Sequence, residues 1–192
     1  IRASRYQALI DGVEQMVEAG GTVDLSGSWC NDGPAGYTAG NYPTPKDRYR
    51  MWSLASYYLV KESVGAPGRV YFDPNLCIDQ NLPDPLVFEN EWLAAYEQNV
   101  GQPSGPVTVA AQGSLACDGG GYKIFSRPYD QATIFVRVKD GFACNDYSDS
   151  TAISVSLPTP MLRLEPNGTY TGPVNSVAIR NAEAVILFYP PD

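Results

Sequence analysis

Residues 4 to 19, SRYQALIDGVEQMVEA, repeat apolar side chains at Tyr6, Leu9, Ile10, Val13, Met16 and Val17. That spacing predicts one apolar face of a helix, and Gly20-Gly21 supplies its stop. TVDL follows as a short strand, and then SGSWCNDGPAGYTAGNYPTPKD runs on without periodicity. A loop of that length in a compact protein is usually functional or an insertion. Residues 47 to 63, DRYRMWSLASYYLVKES, are apolar almost all round between Met51 and Val60. They predict a second, largely buried helix with Asp47 as its N-cap. RVYFDPN, residues 69 to 75, is a second strand, so the order is helix, strand, loop, helix, strand, with an aspartate ending each strand. Such alternation points to parallel α/β units.

EWLAAYEQN, residues 91 to 99, predicts a last short helix, which GQPSGP breaks. From Val107 the pattern changes to short β-rich runs: VTVAAQ, GYKIFSRPY, ATIFVRVK, TAISVSLP, MLRLEP, SVAIRN and AEAVILFYP. Turn signals such as CDGGG, KDG, NDYSD and PNGT separate them, a spacing that fits an antiparallel sandwich of about seven strands. The boundary falls near residue 105. The expected fold class is α/β followed by all-β, with an α/β segment over 1–105 and an antiparallel β-sandwich over 106–192. Two or three strand-helix units cannot close a parallel barrel, which takes about 250 residues. The open sheet therefore needs cover from the β part, from an upstream barrel segment or from identical subunits.

Composition narrows the functions. With 192 residues, 44% of them hydrophobic, the chain can bury a real core. No run reaches the roughly 18 to 20 apolar residues of a membrane span. A net charge of −8, a pI near 4.5 and the lack of any basic cluster exclude nucleic acid as a partner. Thirteen tyrosines and 34 Pro plus Gly residues read as an extracellular, periplasmic or cell-surface protein. Ile1 opens the chain without an initiator Met or a leader, which reads as a processed product or a segment of something longer. Cys30, Cys77, Cys117 and Cys144 have no CxxC pair, which argues against zinc and favours disulfides. Three pairings are open, and two cysteines in each half favour Cys30 with Cys77 and Cys117 with Cys144; four free thiols are the alternative in a reducing compartment. The chain has no histidine, which excludes Ser-His-Asp and Cys-His catalysis and histidine-based metal centres. No cofactor is expected, and chemistry falls to carboxylates, tyrosines or cysteines.

DRYRMWSLASYYLVKES, VYFDPN, EWLAAYEQNVGQPSGP and the β runs FSRPYDQATIFVRVKDG, STAISVSLPTPMLRLEPNGTYTGP and AEAVILFYP together resemble the C-terminal half of TIM-barrel glycoside-hydrolase-like proteins. In that group a final barrel helix and strand precede a small β-sandwich. The resemblance implies carbohydrate as partner and hydrolysis by paired carboxylates when the barrel is complete. This chain alone is not expected to catalyse. The alternative is a non-catalytic secreted surface or filament subunit, or a carbohydrate-binding module.

In a parallel barrel the chemistry lies at the C-terminal ends of the strands, and Asp24 and Asp73 hold such positions. Glycoside hydrolysis needs two carboxyl groups, about 5 to 5.5 Å apart for retention or about 6.5 to 9.5 Å for inversion, and no histidine. An aspartate at a strand end is also a common turn former, bonding nearby backbone N–H groups. Trp29, Tyr37 and Tyr42 in the Gly-rich loop are candidate sugar-stacking residues, or anchors for an irregular loop. Trp52, on the buried helix, reads as core. Asn167-Gly168-Thr169 fits the glycosylation pattern and equally a hairpin turn. No acidic spacing fits an EF-hand, and no metal site is expected.

Overall fold

The computed structural model describes residues 3–26, 45–73, 93–115, 120–140 and 149–191. Helix α1 (Ala3–Glu18) buries Tyr6, Ile10, Val13 and Val17, four of the six residues of its expected face, and leaves Leu9 and Met16 exposed. Its stop is the expected one: Gly20 takes φ 83 and Gly21 donates to the Met16 carbonyl at 2.8 Å. Strand β1 (Thr22–Ser26) follows, then α2 (Pro45–Val60) and β2 (Arg69–Asp73). Asp47 lies inside the first turn of α2 and is buried, so the helix starts earlier than a cap at that residue implies. β1 and β2 pair in parallel, Thr22 with Arg69 through Ser26 with Asp73. Among the described residues this parallel sheet has two strands. Within the expected helix at 91 to 99, Ala94–Glu97 form a single 3-10 turn.

Among the described residues the second half is one antiparallel sheet of six strands, curled into a half-barrel, where a sandwich of about seven strands was expected. Its strands are β3 (Thr108–Ser114), β4 (Gly121–Pro128), β5 (Ala132–Lys139), β6 (Ile153–Leu164), β7 (Tyr170–Ile179) and β8 (Ala184–Phe188), in the order β3-β4-β5-β8-β6-β7. One strand fewer forms because TAISVSLP and MLRLEP join as β6. Pro158 and Pro160 fall where the β6–β7 register shifts, between Ser156 and Met161. A missing N–H costs nothing at a bulge, so the strand passes through both prolines.

Period-two alternation assigns the central strands to two cores. Ile134, Val136 and Val138 of β5, with Ala184, Ile186 and Phe188 of β8, face the helices and join Tyr6, Leu54, Leu59 and Val70 in one buried cluster. Phe135, Val185 and Leu187 point the other way, onto Met161, Val177 and Ile179 of the β6–β7 hairpin. Full burial of each such side chain contributes about 1.5 to 3 kcal/mol. The larger cluster therefore crosses residue 105 and welds the α/β segment to the sheet.

Polar groups reinforce that weld. Arg127 and Tyr129 reach from the sheet to the end of α2. Arg127 Nη1 donates to the carbonyls of Leu59 (2.9 Å) and Lys61 (2.5 Å), and its Nη2 to Ser63 Oγ (3.2 Å). These answer carbonyls that a helix end otherwise leaves unbonded. Trp52 Nε1 donates to the Arg137 carbonyl at 3.3 Å, and its ring packs 5.5 Å from Tyr6, consistent with its reading as core.

The disulfide expectation requires correction. No disulfide, and no contact close to one, joins Cys30, Cys77, Cys117 or Cys144. All four positions lie outside the described residues. A bridge needs Cα atoms about 4.4 to 6.8 Å apart, and an even distribution of cysteines along a sequence does not supply that approach. Among the described residues no helix is long and apolar enough to cross a membrane.

Candidate functional site on the parallel sheet

The alternation of β1 and β2 divides this small sheet into two unlike faces. Val23, Leu25, Val70 and Phe72 turn toward the helices and pack on the larger core. Phe72 stacks on Tyr57 at 5.3 Å and meets Tyr96 edge-on at 5.8 Å. Burial, with the nearby Glu62 carboxylate adding to it, raises the pKa of the Tyr57 hydroxyl. The underside is thus a neutral, aromatic support.

The opposite face carries Thr22, Asp24, Arg69, Tyr71 and Asp73, all exposed, with the Arg69 guanidinium at its edge bonded back to backbone carbonyls. Paired residues of a sheet point to the same side, and the register sets Asp24 beside Tyr71 and Ser26 beside Asp73. The two aspartates therefore share one face, offset by two residues along neighbouring strands. With strands about 4.8 Å apart and a rise of about 3.3 Å per residue, their Cα atoms lie about 8 Å apart. Only Asp73 ends its strand; Asp24 sits at the middle of β1.

β2 is fixed where it begins. Gly68 N–H donates to the Val17 carbonyl at 2.9 Å and Arg69 N–H to the Gly21 carbonyl at 3.1 Å, tying β2 to the end of α1. Glu62 Oε2 accepts from Val70 N–H at 3.0 Å. The Arg69 guanidinium donates to the Ala66 and Gly68 carbonyls, each at 2.8 Å. These contacts set the register that brings Asp24 and Asp73 to one face.

Tyr71 was not singled out from the sequence, although it is the largest group on this face and 59% exposed. Its signal was the parity of RVYFD, which puts residue 71 on the side of residue 73. Trp29, Tyr37 and Tyr42 lie outside the described residues. Asn167 is exposed in the β6–β7 turn, where its Oδ1 accepts from Thr169 N–H (3.1 Å) and Thr169 Oγ1 (2.7 Å). Among the described residues no group of three metal-ligating side chains occurs.

Chemically, this face offers two carboxylates for hydrogen bonds to hydroxyl groups or for proton transfer, and one phenol ring for the apolar side of a ligand. Comparison of the chain with family models, with curated proteins and with solved structures finds no match.

Proposed function

We propose that the chain is the barrel-end portion, with its companion β-sheet, of an extracytoplasmic glycoside-hydrolase-like protein, and that the Asp24–Tyr71–Asp73 face contacts carbohydrate. The observation that carries this reading is the β1–β2 register, which sets both aspartates and an exposed aromatic ring on one open face. In a complete barrel such a face lines the interior near the catalytic end. Paired carboxylates there serve as acid and as base or nucleophile, and histidine is not needed. An upstream barrel segment or identical subunits would supply the remaining strands.

The test is an NMR titration of the labelled chain with a panel of neutral oligosaccharides. Shifts centred on β1 and β2 that disappear in Asp24→Asn, Asp73→Asn and Tyr71→Ala support the reading. Shifts confined to the six-stranded sheet, or unchanged in all three variants, overturn it. Release of reducing ends separates hydrolysis from the non-catalytic alternative, a secreted carbohydrate-binding module or surface subunit in which the same face only binds.

A further inference from the structure

In the β7–β8 turn, one buried side chain has its hydrogen-bonding groups unanswered. Asn181 is fully buried, and among the described residues neither its Oδ1 nor its Nδ2 has a hydrogen-bond partner. Burying an amide in this way is unfavourable, so such groups are ordinarily satisfied by protein or by an internal water.

The backbone that carries the residue is held in place. Its own N–H donates to Thr151 Oγ1 at 3.3 Å, and Thr151 is itself buried. The Thr151 carbonyl accepts from Arg137 Nη1, which also donates to the Ile179 carbonyl at 2.6 Å. On the other side, Glu183 accepts from Arg180 N–H at 2.7 Å and from Arg163 Nη2 at 2.9 Å. Between them Ala182 takes φ 54, a left-handed conformation that side chains other than glycine seldom adopt. The turn is pinned on both flanks with the Asn181 amide inside.

We propose that Asn181 holds a resident internal water, and that this water completes the polar cluster of Arg137, Thr151 and Asn181 beneath the β7–β8 turn. The chemistry of the amide selects the ligand. Nδ2 only donates and Oδ1 only accepts. An anion answers the first alone and a cation the second alone, whereas water both donates and accepts.

Water–amide cross-relaxation by NMR on the unmodified chain tests this directly. Cross-peaks between the Asn181 side-chain amide protons and water, with the sign of a long-lived complex, are expected. Their absence, or an Asn181 amide bonded instead to another protein group, overturns the proposal. In a second measurement, the Asn181→Leu variant is expected to lose one long-lived water in oxygen-17 relaxation dispersion. An unchanged count of long-lived waters refutes it.

Discussion

The hydroxyl of Tyr129 donates a 2.6 Å hydrogen bond to the carbonyl of Tyr58, 71 residues away and in the last turn of α2. Arg127 Nη1 approaches the same carbonyl at 3.4 Å and bonds those of Leu59 and Lys61 more closely. Removing Arg127 takes the donor from the Leu59 and Lys61 carbonyls, and removing the Tyr129 hydroxyl leaves the Tyr58 carbonyl only the longer Arg127 contact. Tyr129→Phe is expected to cost about 1 to 2 kcal/mol and Arg127→Ala about 3 kcal/mol, read from urea midpoints at constant slope. Because each group can still answer the Tyr58 carbonyl when the other is gone, the double variant should lose more than the sum of the two.

Two glycines should respond in opposite directions to the same substitution. A Cβ on Gly68 would collide with the Gly21 carbonyl and come within 2.6 Å of the Val17 carbonyl, both of them backbone. Gly68→Ala should therefore destabilise by about 1 to 3 kcal/mol, as overpacking does. Gly12 lies within α1 with nothing near the place of a Cβ, and Gly12→Ala should stabilise by about 0.5 to 1 kcal/mol. Thermal unfolding of the two variants side by side checks the pair.

Alkaline pH should unfold the protein through its buried tyrosines. Burial pushes the Tyr58 hydroxyl up to about 12, with neighbouring Tyr57 adding to it. Burial likewise raises Tyr6, where the bond to Ser56 opposes the shift, and Tyr129, where the Arg127 guanidinium opposes it. Below about pH 10 these groups are protonated in both folded and unfolded chains and add no pH dependence. Above it the unfolded chain loses protons that the folded chain keeps, so stability falls by about 1.4 kcal/mol per pH unit for each such tyrosine. The Tm is expected to hold from these groups' standpoint up to pH 10 and to drop steeply by pH 12. Tyrosinate absorbance should rise together with the loss of circular dichroism.

The candidate site should be separable from stability. Asp24 and Tyr71 are exposed, so Asp24→Asn and Tyr71→Ala should each change the unfolding free energy by no more than about 0.5 kcal/mol. A loss of sugar-induced NMR shifts in variants of unchanged Tm then reports on the face itself.

Local pattern made much of this architecture legible. The 3.6-residue repeat of Tyr6, Ile10, Val13 and Val17 and the Gly20-Gly21 stop located α1, and the β-rich run ATIFVRVK located β5, which the structure covers on both faces. Prolines misled the reading of β6, because Pro158 and Pro160 signal a break unless the bulge that accommodates them is visible. Arg127 and Arg137 are buried and bond carbonyls contributed by distant segments. A charged residue in a strand ordinarily reads as surface, and nothing near either one announces its partners. Asp24 and Asp73 were recognisable as candidates, but their common face depends on which residue of β1 meets which residue of β2. That fact belongs to the pairing of strands and to neither strand alone.

The contact between Arg127 and the end of α2 also orders events in time. A chain made from its N-terminus exposes α2 and β2 well before β4 exists, since Arg127 follows Leu59 by 68 residues. Until then the last carbonyls of the helix have only water to bond, although the bonds that tie the start of β2 to the end of α1 can already form. The C-terminal end of α2 is thus made early and completed late.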